Sequence, residues 1–361
     1  MKKILLALMM FTLLLSACQN AEPEELLPPE EVVEIVTPEP EPEPELEPEP
    51  EPEEEEDPGP DLTGLSMNPI TGHFICEDAA LRRPIAVVID NIFAALPQSG
   101  ISQADIIYET LAEGGTTRLV AIFTTASAEK IGPVRSTRHN FLDFALNHDA
   151  ILIHHGGSPQ GYSAINNLRA DSLDGMHGFG AFFRDQSREQ GGWRPLEHSS
   201  FITASGIYQA IEDRNLRQEI HEEFTQVFEF LDDDCILEGE KMHEVIVTFA
   251  GSQIGRFHYI EGVGVYLRTQ NGNPHFDEYT GQQLVVENVL IQYARMRIMD
   301  YVGRRDVTLV GEGRGTLHTR GVAVPVRWSR ESNTAPTIWT FENGEPMRLT
   351  RGKTWVCIMP E

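Results

Sequence analysis

The sequence predicts an α+β protein: an N-terminal α/β-type domain followed by a smaller, mainly antiparallel β domain. Three observations predict it. Residues 82–168 run strand, helix, strand, helix, the pattern of an α/β layer with loops gathered at strand C-termini. Residues 241–361 carry short runs rich in β-branched residues, separated by turn signals. Roughly 300 residues remain after the N-terminal segments are set aside, which suits two domains.

Those N-terminal segments come first. Lys2 and Lys3 precede an apolar run from Ile4 to Leu15, too short to span a bilayer as a mature helix. Residues 1–17 are expected to be a signal peptide. Leu15, Ser16 and Ala17 ahead of Cys18 resemble the bacterial lipobox, which implies cleavage before Cys18 and acylation there, palmitate included. Two or more acyl chains anchor firmly without a transmembrane helix, so the expected location is the outer face of the cell membrane.

Residues 18–61 read as the lipidated Cys and a disordered tether. Between 19 and 61 stand 17 Glu and 2 Asp and no Lys or Arg. Such a segment repels itself and cannot bury a core. With Pro at alternate positions it favours polyproline II and reaches up to roughly 130 Å. Of the formal net charge of -28, only -11 belongs to residues 62–361.

The expected α/β domain covers 62–228. "RPIAVVIDN" (83–91) is a buried strand ending in Asp90 and Asn91. "ADIIYETLAEGGTTRLVAIFTT" (104–125) is a hairpin around Gly114-Gly115 that carries Glu109, Glu113 and Arg118. After a Gly-Pro turn, Ser136 is the expected N-cap of a helix through Phe141, Leu142 and Ala145. "AILIHHGGSP" is a strand entering a glycine turn, with Ser158 as N-cap and Pro159 at the first position of a helix over 159–168. Residues 169–200 are a long loop rich in Gly, His and Arg, and 204–218 form a helix capped by Thr203 or Ser205. Acidic residues 229–240 link this domain to the β-rich one at 241–361. Glycine-rich "GEGRG" (311–315) lacks the ending of a P-loop and is expected to be a hairpin turn.

The chemistry centres on Arg135 and Arg138. Placed at a helix start, the positive end of the dipole, they require an anion. That anion is either a ligand, phosphate or carboxylate, or one of the protein's own groups: Glu109, Glu113, Asp90 or Asp105. Arg118 joins them. The Gly157-Ser158 turn repeats the design of a strand end before a capped helix. His154 and His155 point to opposite faces of their strand, so only one can line the cleft. The expected ligand site is therefore Arg118, Arg135, Ser136, Arg138, Asp90, Asn91, His154, Gly157 and Ser158. Gln160 stands where a nucleophile elbow needs Gly. A Ser-His-Asp set can be drawn from Ser158, His198 and Asp90, but no spacing selects it, and catalytic residues stay unassigned. His154, His177, His198 and Asp90 lack the close spacing of a metal set, so no metal or cofactor is expected. The acidity argues against nucleic acid. Cys76, Cys235 and Cys357 allow one disulfide or three thiols.

"RPIAVVIDN", "LPQSGISQADIIYE", "EGGTTRLVAIF", "IGPVRSTR" and "DAILIHHGGSP" follow one another as in the YerB-like lipoproteins of Gram-positive bacteria. "DEYTGQQLVVENVLIQ", "GRRDVTLVGEGRG" and "LTRGKTWVCIMP" match that family's second domain. The resemblance covers about 65–361. It implies two paired domains of unknown function and a lipid anchor, and it supplies no reaction. Here "LEHSS" (196–200) replaces the family's Pro-His-Asn-like step. "TTRLVAIFTT" with "IGPVRSTR" also looks somewhat like LytR-CpsA-Psr phosphotransferases, but Leu119 and Ser136 stand where that family carries aspartates. The reading is a lipid-anchored protein that binds an anionic wall ligand or an envelope protein. The alternative is a cell-envelope phosphotransferase or hydrolase.

Overall fold

Ile85–Asp90 (β1) is buried along its whole length, because both faces of its sheet are covered. Ile85, Val87 and Ile89 enter one apolar core, while Ala86 and Val88 enter the other, as the two-residue period of a strand requires. Ile106–Leu111 (β2) and Thr117–Phe123 (β3) make the hairpin expected around Gly114-Gly115. Phe141–Asn147 (α1), Ile151–His154 (β4), Pro159–Leu168 (α2) and Ser172–Asp174 (β5) follow. Ser158 caps α2 as expected, its Oγ accepting from the Gly161 N–H at 3.0 Å. A short hairpin, Phe182–Arg184 (β6) with Ser200–Ile202 (β7), precedes Ala204–Asp213 (α3), which Thr203 caps.

The structure is a computed structural model and describes residues 62–177, 181–189, 196–232, 235–251 and 253–361. The expected signal segment, the lipobox Cys18 and the tether lie outside these residues. No helix among the described residues is long and apolar enough to cross a membrane.

In the second half, Glu244–Ala250 (β8), Gln253–Ile260 (β9) and Val265–Gln270 (β10) form an antiparallel meander. Asn288–Ala294 (β11), Gly311–Thr319 (β12), Val322–Arg330 (β13), Ile338–Phe341 (β14) and Thr354–Pro360 (β15) complete the strands that matter here. The fold class is the expected one: a mixed N-terminal domain and a mainly antiparallel C-terminal one.

The two halves share a sheet. Among the described residues it has eleven strands, running β13, β12, β11, β15, β2, β3, β1, β4, β5, with Glu240–Lys241 and β14 both paired to β13. Strand β15 lies parallel to β11 on one side and to β2 on the other, so it stitches the domains together. One face is covered by the meander and α3, the other by α1.

Two local expectations change. Gly311–Gly315 is not a turn but the start of β12, paired with β13. A Cβ at Gly313 would fall 2.6 Å from the Trp328 ring, and one at Gly315 would fall 2.7 Å from the Ile291 carbonyl. The glycines make room for packing. Ser136 is not an N-cap, because α1 begins at Phe141. Residues 131–137 are extended instead, bridged to Ile202, Ile89 and Gly157. The Ser136 hydroxyl donates to the His155 carbonyl at 3.1 Å.

A buried carboxylate locks the domains. Glu109 of β2 is fully buried. It accepts from Arg268 Nη2 at 2.7 Å, Trp355 Nε1 at 3.0 Å, Thr117 Oγ1 at 2.8 Å and Asn91 Nδ2 at 3.0 Å. The Arg268 guanidinium stacks 4.3 Å from the Trp355 ring. Arg268 and Trp355 come from the second domain and the other donors from the first. Removing one member strands a buried charge, which costs far more than the pair contributes net. Arg268→Met should therefore lower unfolding free energy by about 3–5 kcal/mol in urea titrations. A loss below about 1 kcal/mol would mean that Glu109 does not depend on this partner.

Candidate functional site

Strands β1, β4 and β5 run parallel and deliver their C-termini to one edge. Loops meet there, as they do where open α/β sheets hold ligands. Asp90 ends β1 and is fully buried. Its Oδ2 accepts from His198 Nδ1 at 2.7 Å and lies 3.2 Å from Arg135 Nε. Burial works to raise the Asp90 pKa. The His198 hydrogen bond and the charges of Arg118 and Arg135 outweigh it and hold the carboxyl below its ordinary value.

The turn after β4 is fixed by Asp174 of β5. Its carboxylate accepts from the Gly156 N–H at 2.8 Å, the Met176 N–H at 3.0 Å and the Tyr162 hydroxyl at 2.8 Å. The two His residues diverge as strand geometry demands. His154 is buried, with Nδ1 donating to the Gly156 carbonyl at 2.8 Å. His155 faces the loops, its Nδ1 2.6 Å from Ser200 Oγ.

Between this turn, the extended 134–136 segment and the β6–β7 hairpin lies a cavity of about 340 Å³. Arg135, Ser136, His155, Tyr162, Arg184 and Glu197 bring the polar groups to its wall. Arg135 Nη1 donates to the Glu197 carbonyl at 3.3 Å, and Arg184 Nη1 to the Leu196 carbonyl at 2.5 Å. The His155 pKa is lowered, chiefly by burial and next by the Arg184 charge. Imidazolium is therefore disfavoured, and the ring is a neutral donor or acceptor near neutral pH.

The nine residues expected in one ligand site divide into groups. Arg135, Ser136 and Gly157 line the cavity, and Asp90 stands behind Arg135. His154 and Ser158 support the turn from below. Arg138 turns away, donating to Glu113 and to the Thr137 carbonyl. Arg118, 3.9 Å from the same carboxylate, is buried, and desolvation pulls its pKa down to about 10. Asn91 belongs to the Glu109 network. Two of the carboxylates proposed as internal partners, Asp90 and Glu113, do pair with these arginines, whereas Glu109 pairs with Arg268. The helix-dipole argument for an anion falls with the shorter α1.

Sequence reading missed His155, Tyr162, Arg184, Glu197 and Ser200. Their signal was regional: Arg184, Glu197 and Ser200 lie in the Gly-, His- and Arg-rich stretch at 169–200. The drawn Ser-His-Asp set is half realised, with Asp90 and His198 bonded and Ser158 occupied as a cap. Among the described residues Cys76, Cys235 and Cys357 are free thiols, with Cys357 buried.

Comparison with known proteins gives a consistent picture. Residues 70–217 match the family described as "Protein of unknown function (DUF3048) N-terminal domain", and 245–356 match its C-terminal domain. The protein of Bacillus subtilis (strain 168) named "Putative lipoprotein YerB" is 31% identical over 308 residues, which cover 84% of this chain and 88% of that protein. The crystal structure of B. subtilis YerB superposes with a TM-score of 0.71 at 30% identity, covering 81% of this chain and 96% of that one.

The depressed Asp90 pKa has a stability consequence. A carboxyl whose folded pKa lies below its unfolded one stabilises the fold above the unfolded value and loses that contribution as pH falls through the folded value. The ordinary value is 3.8, so the loss begins below it. Thermal midpoints taken from about pH 6 down to about pH 3 should drop more steeply for the native chain than for Asp90→Asn. Parallel profiles would show that Asp90 is not held ionised.

Proposed function

The chain belongs to the YerB-like lipoprotein family of paired DUF3048 domains, and from that premise we propose that its first domain binds an anionic cell-envelope group at the outer face of the membrane. One observation carries the reading: Arg135 and Arg184, from separate elements, converge on one cavity. Arg135 shares its charge with the buried Asp90, whereas Arg184 is exposed and hydrogen-bonded to a neutral carbonyl. Two guanidinium groups therefore face the cavity beside the hydroxyls of Ser136 and Tyr162. Guanidinium forks suit phosphate and carboxylate groups through paired hydrogen bonds. Glu197, also on the wall, would repel an anion placed against it and so restricts where the charge can sit.

A second reading, a phosphotransferase or hydrolase, draws on the Asp90–His198 bond. That is the arrangement of an orienting carboxylate and a base. It predicts turnover of a wall-derived or lipid-linked phosphate ester that Asp90→Asn impairs. A broad substrate panel without turnover removes it.

Binding is tested by thermal stabilisation. Inorganic phosphate or polyphosphate at about 100 times its Kd should stabilise the native chain by about 2.7 kcal/mol. For a chain of this size the midpoint rises by several degrees. Arg135→Ala with Arg184→Ala should abolish the rise and leave the ligand-free protein folded. An equal rise in the double variant, or none in the native chain, overturns the proposal. For the anchor, Cys18→Ser should move the protein from the membrane fraction to the soluble one, and retention in the membrane would refute lipid attachment at that site.

A further inference from the structure

The β-rich domain carries a short hairpin, Met296–Ile298 paired with Arg305–Val307. Its strands and tip hold four exposed apolar side chains within five residues. Tyr301 is fully exposed, Ile298 is 60% exposed, and Met299 and Val302 are exposed as well. Scattered apolar residues on a surface mean little, but a contiguous cluster at a hairpin tip marks an interaction site.

The cluster has arginine shoulders. Arg295, Arg297, Arg304 and Arg305 stand against only Asp300 and Asp306 in this segment. Asp300 is paired with Arg304 at 2.7 Å, and Asp306 with Arg297 at 2.6 Å and His139 at 3.1 Å. Both carboxylates are thus neutralised locally, leaving positive charge on the hairpin. The rest of the described protein is acidic, so this is a basic patch on a negatively charged body. Apolar and aromatic side chains at a tip with arginines behind them match the boundary of an anionic bilayer. There the tip buries among acyl chains while the guanidinium groups stay at the headgroups. A polyanionic wall polymer would meet the charge but would leave the apolar cluster in water.

We infer that residues 295–306 form a lipid-contact element that dips Ile298, Met299, Tyr301 and Val302 into the headgroup layer of an anionic membrane. The inference rests on the preceding reading only in taking a membrane to be the protein's working surface. Such an element would hold one side of the folded unit against the bilayer.

The test uses the chain from residue 18 with Cys18→Ser, so that no acyl anchor contributes. The probe is vesicles of equimolar phosphatidylglycerol and phosphatidylcholine, with pure phosphatidylcholine vesicles beside them, read by co-sedimentation. The native hairpin should partition onto the anionic vesicles and much less onto the neutral ones. Tyr301→Ser with Val302→Ser should weaken anionic-vesicle binding by about tenfold, and so should Arg295→Ala with Arg297→Ala. All these side chains are exposed, and thermal midpoints should be unchanged. Arg135→Ala with Arg184→Ala should bind vesicles as the native chain does, so the cleft proposal stands or falls separately. Three results overturn the inference: no binding to anionic vesicles, equal binding by the tip variant, or capture by isolated cell-wall material that depends on Tyr301 while vesicles are ignored.

Discussion

The carboxylate of Glu109 is the point on which the arrangement turns. It lies out of water and is hydrogen-bonded by four side chains from two domains. In so dry a place each donor must be where it is, because a missing one leaves charge uncompensated. The network continues outward. Asn91 receives a bond from Gln98 Nε2, and Gln98 Oε1 lies 2.6 Å from His275 Nε2. Burial drives the His275 pKa well down, so its ring stays neutral and adds no second charge.

The same strand end serves both the domain junction and the cleft. Asp90 and Asn91 are neighbours whose side chains diverge. Asn91 reaches Glu109 and the second domain, while Asp90 reaches His198 and Arg135. Positioning of Arg135 is therefore coupled, through one residue of backbone, to the contact between domains. The cleft's charge is also largely settled within the protein. Arg138 and Arg118 face Glu113, and Arg135 faces Asp90, so the positive charge left facing the cavity sits on Arg184 and the solvent side of Arg135.

Much of the fold was legible because it rests on local physics. The β2–β3 hairpin was readable from its glycines, and α2 from Ser158 and Pro159. The runs that became β1, β4, β8 and β15 were readable from apolar content. What stayed hidden depends on distant partners. Glycines in "GEGRG" signal a turn when read alone, and only the Trp328 and Trp339 rings reveal them as spacers in a strand. Ser136 looks like a cap until the pairing of 131–137 with four separate segments is known. Arg135 could be singled out by its spacing. Arg184 could not, because what joins it to the cleft is the β6–β7 hairpin, whose strands are too short to show a period. Glu109 stands near arginines in the sequence, yet the arginine it pairs with is 159 positions away.

Strand β15 has a consequence for how the protein comes to be. Glu109 and Trp355 sit 246 positions apart, and the strand that carries Trp355 fills the slot between β2 and β11. Until residues 354–360 have emerged, both neighbours are open edges of buried, β-branched sequence, the kind that pairs with the wrong partner. Loop-closure entropy makes such a distant pairing slow. A chain whose amino-terminal part is made first would therefore wait half-assembled, with wrong strand pairing most open to it in that interval.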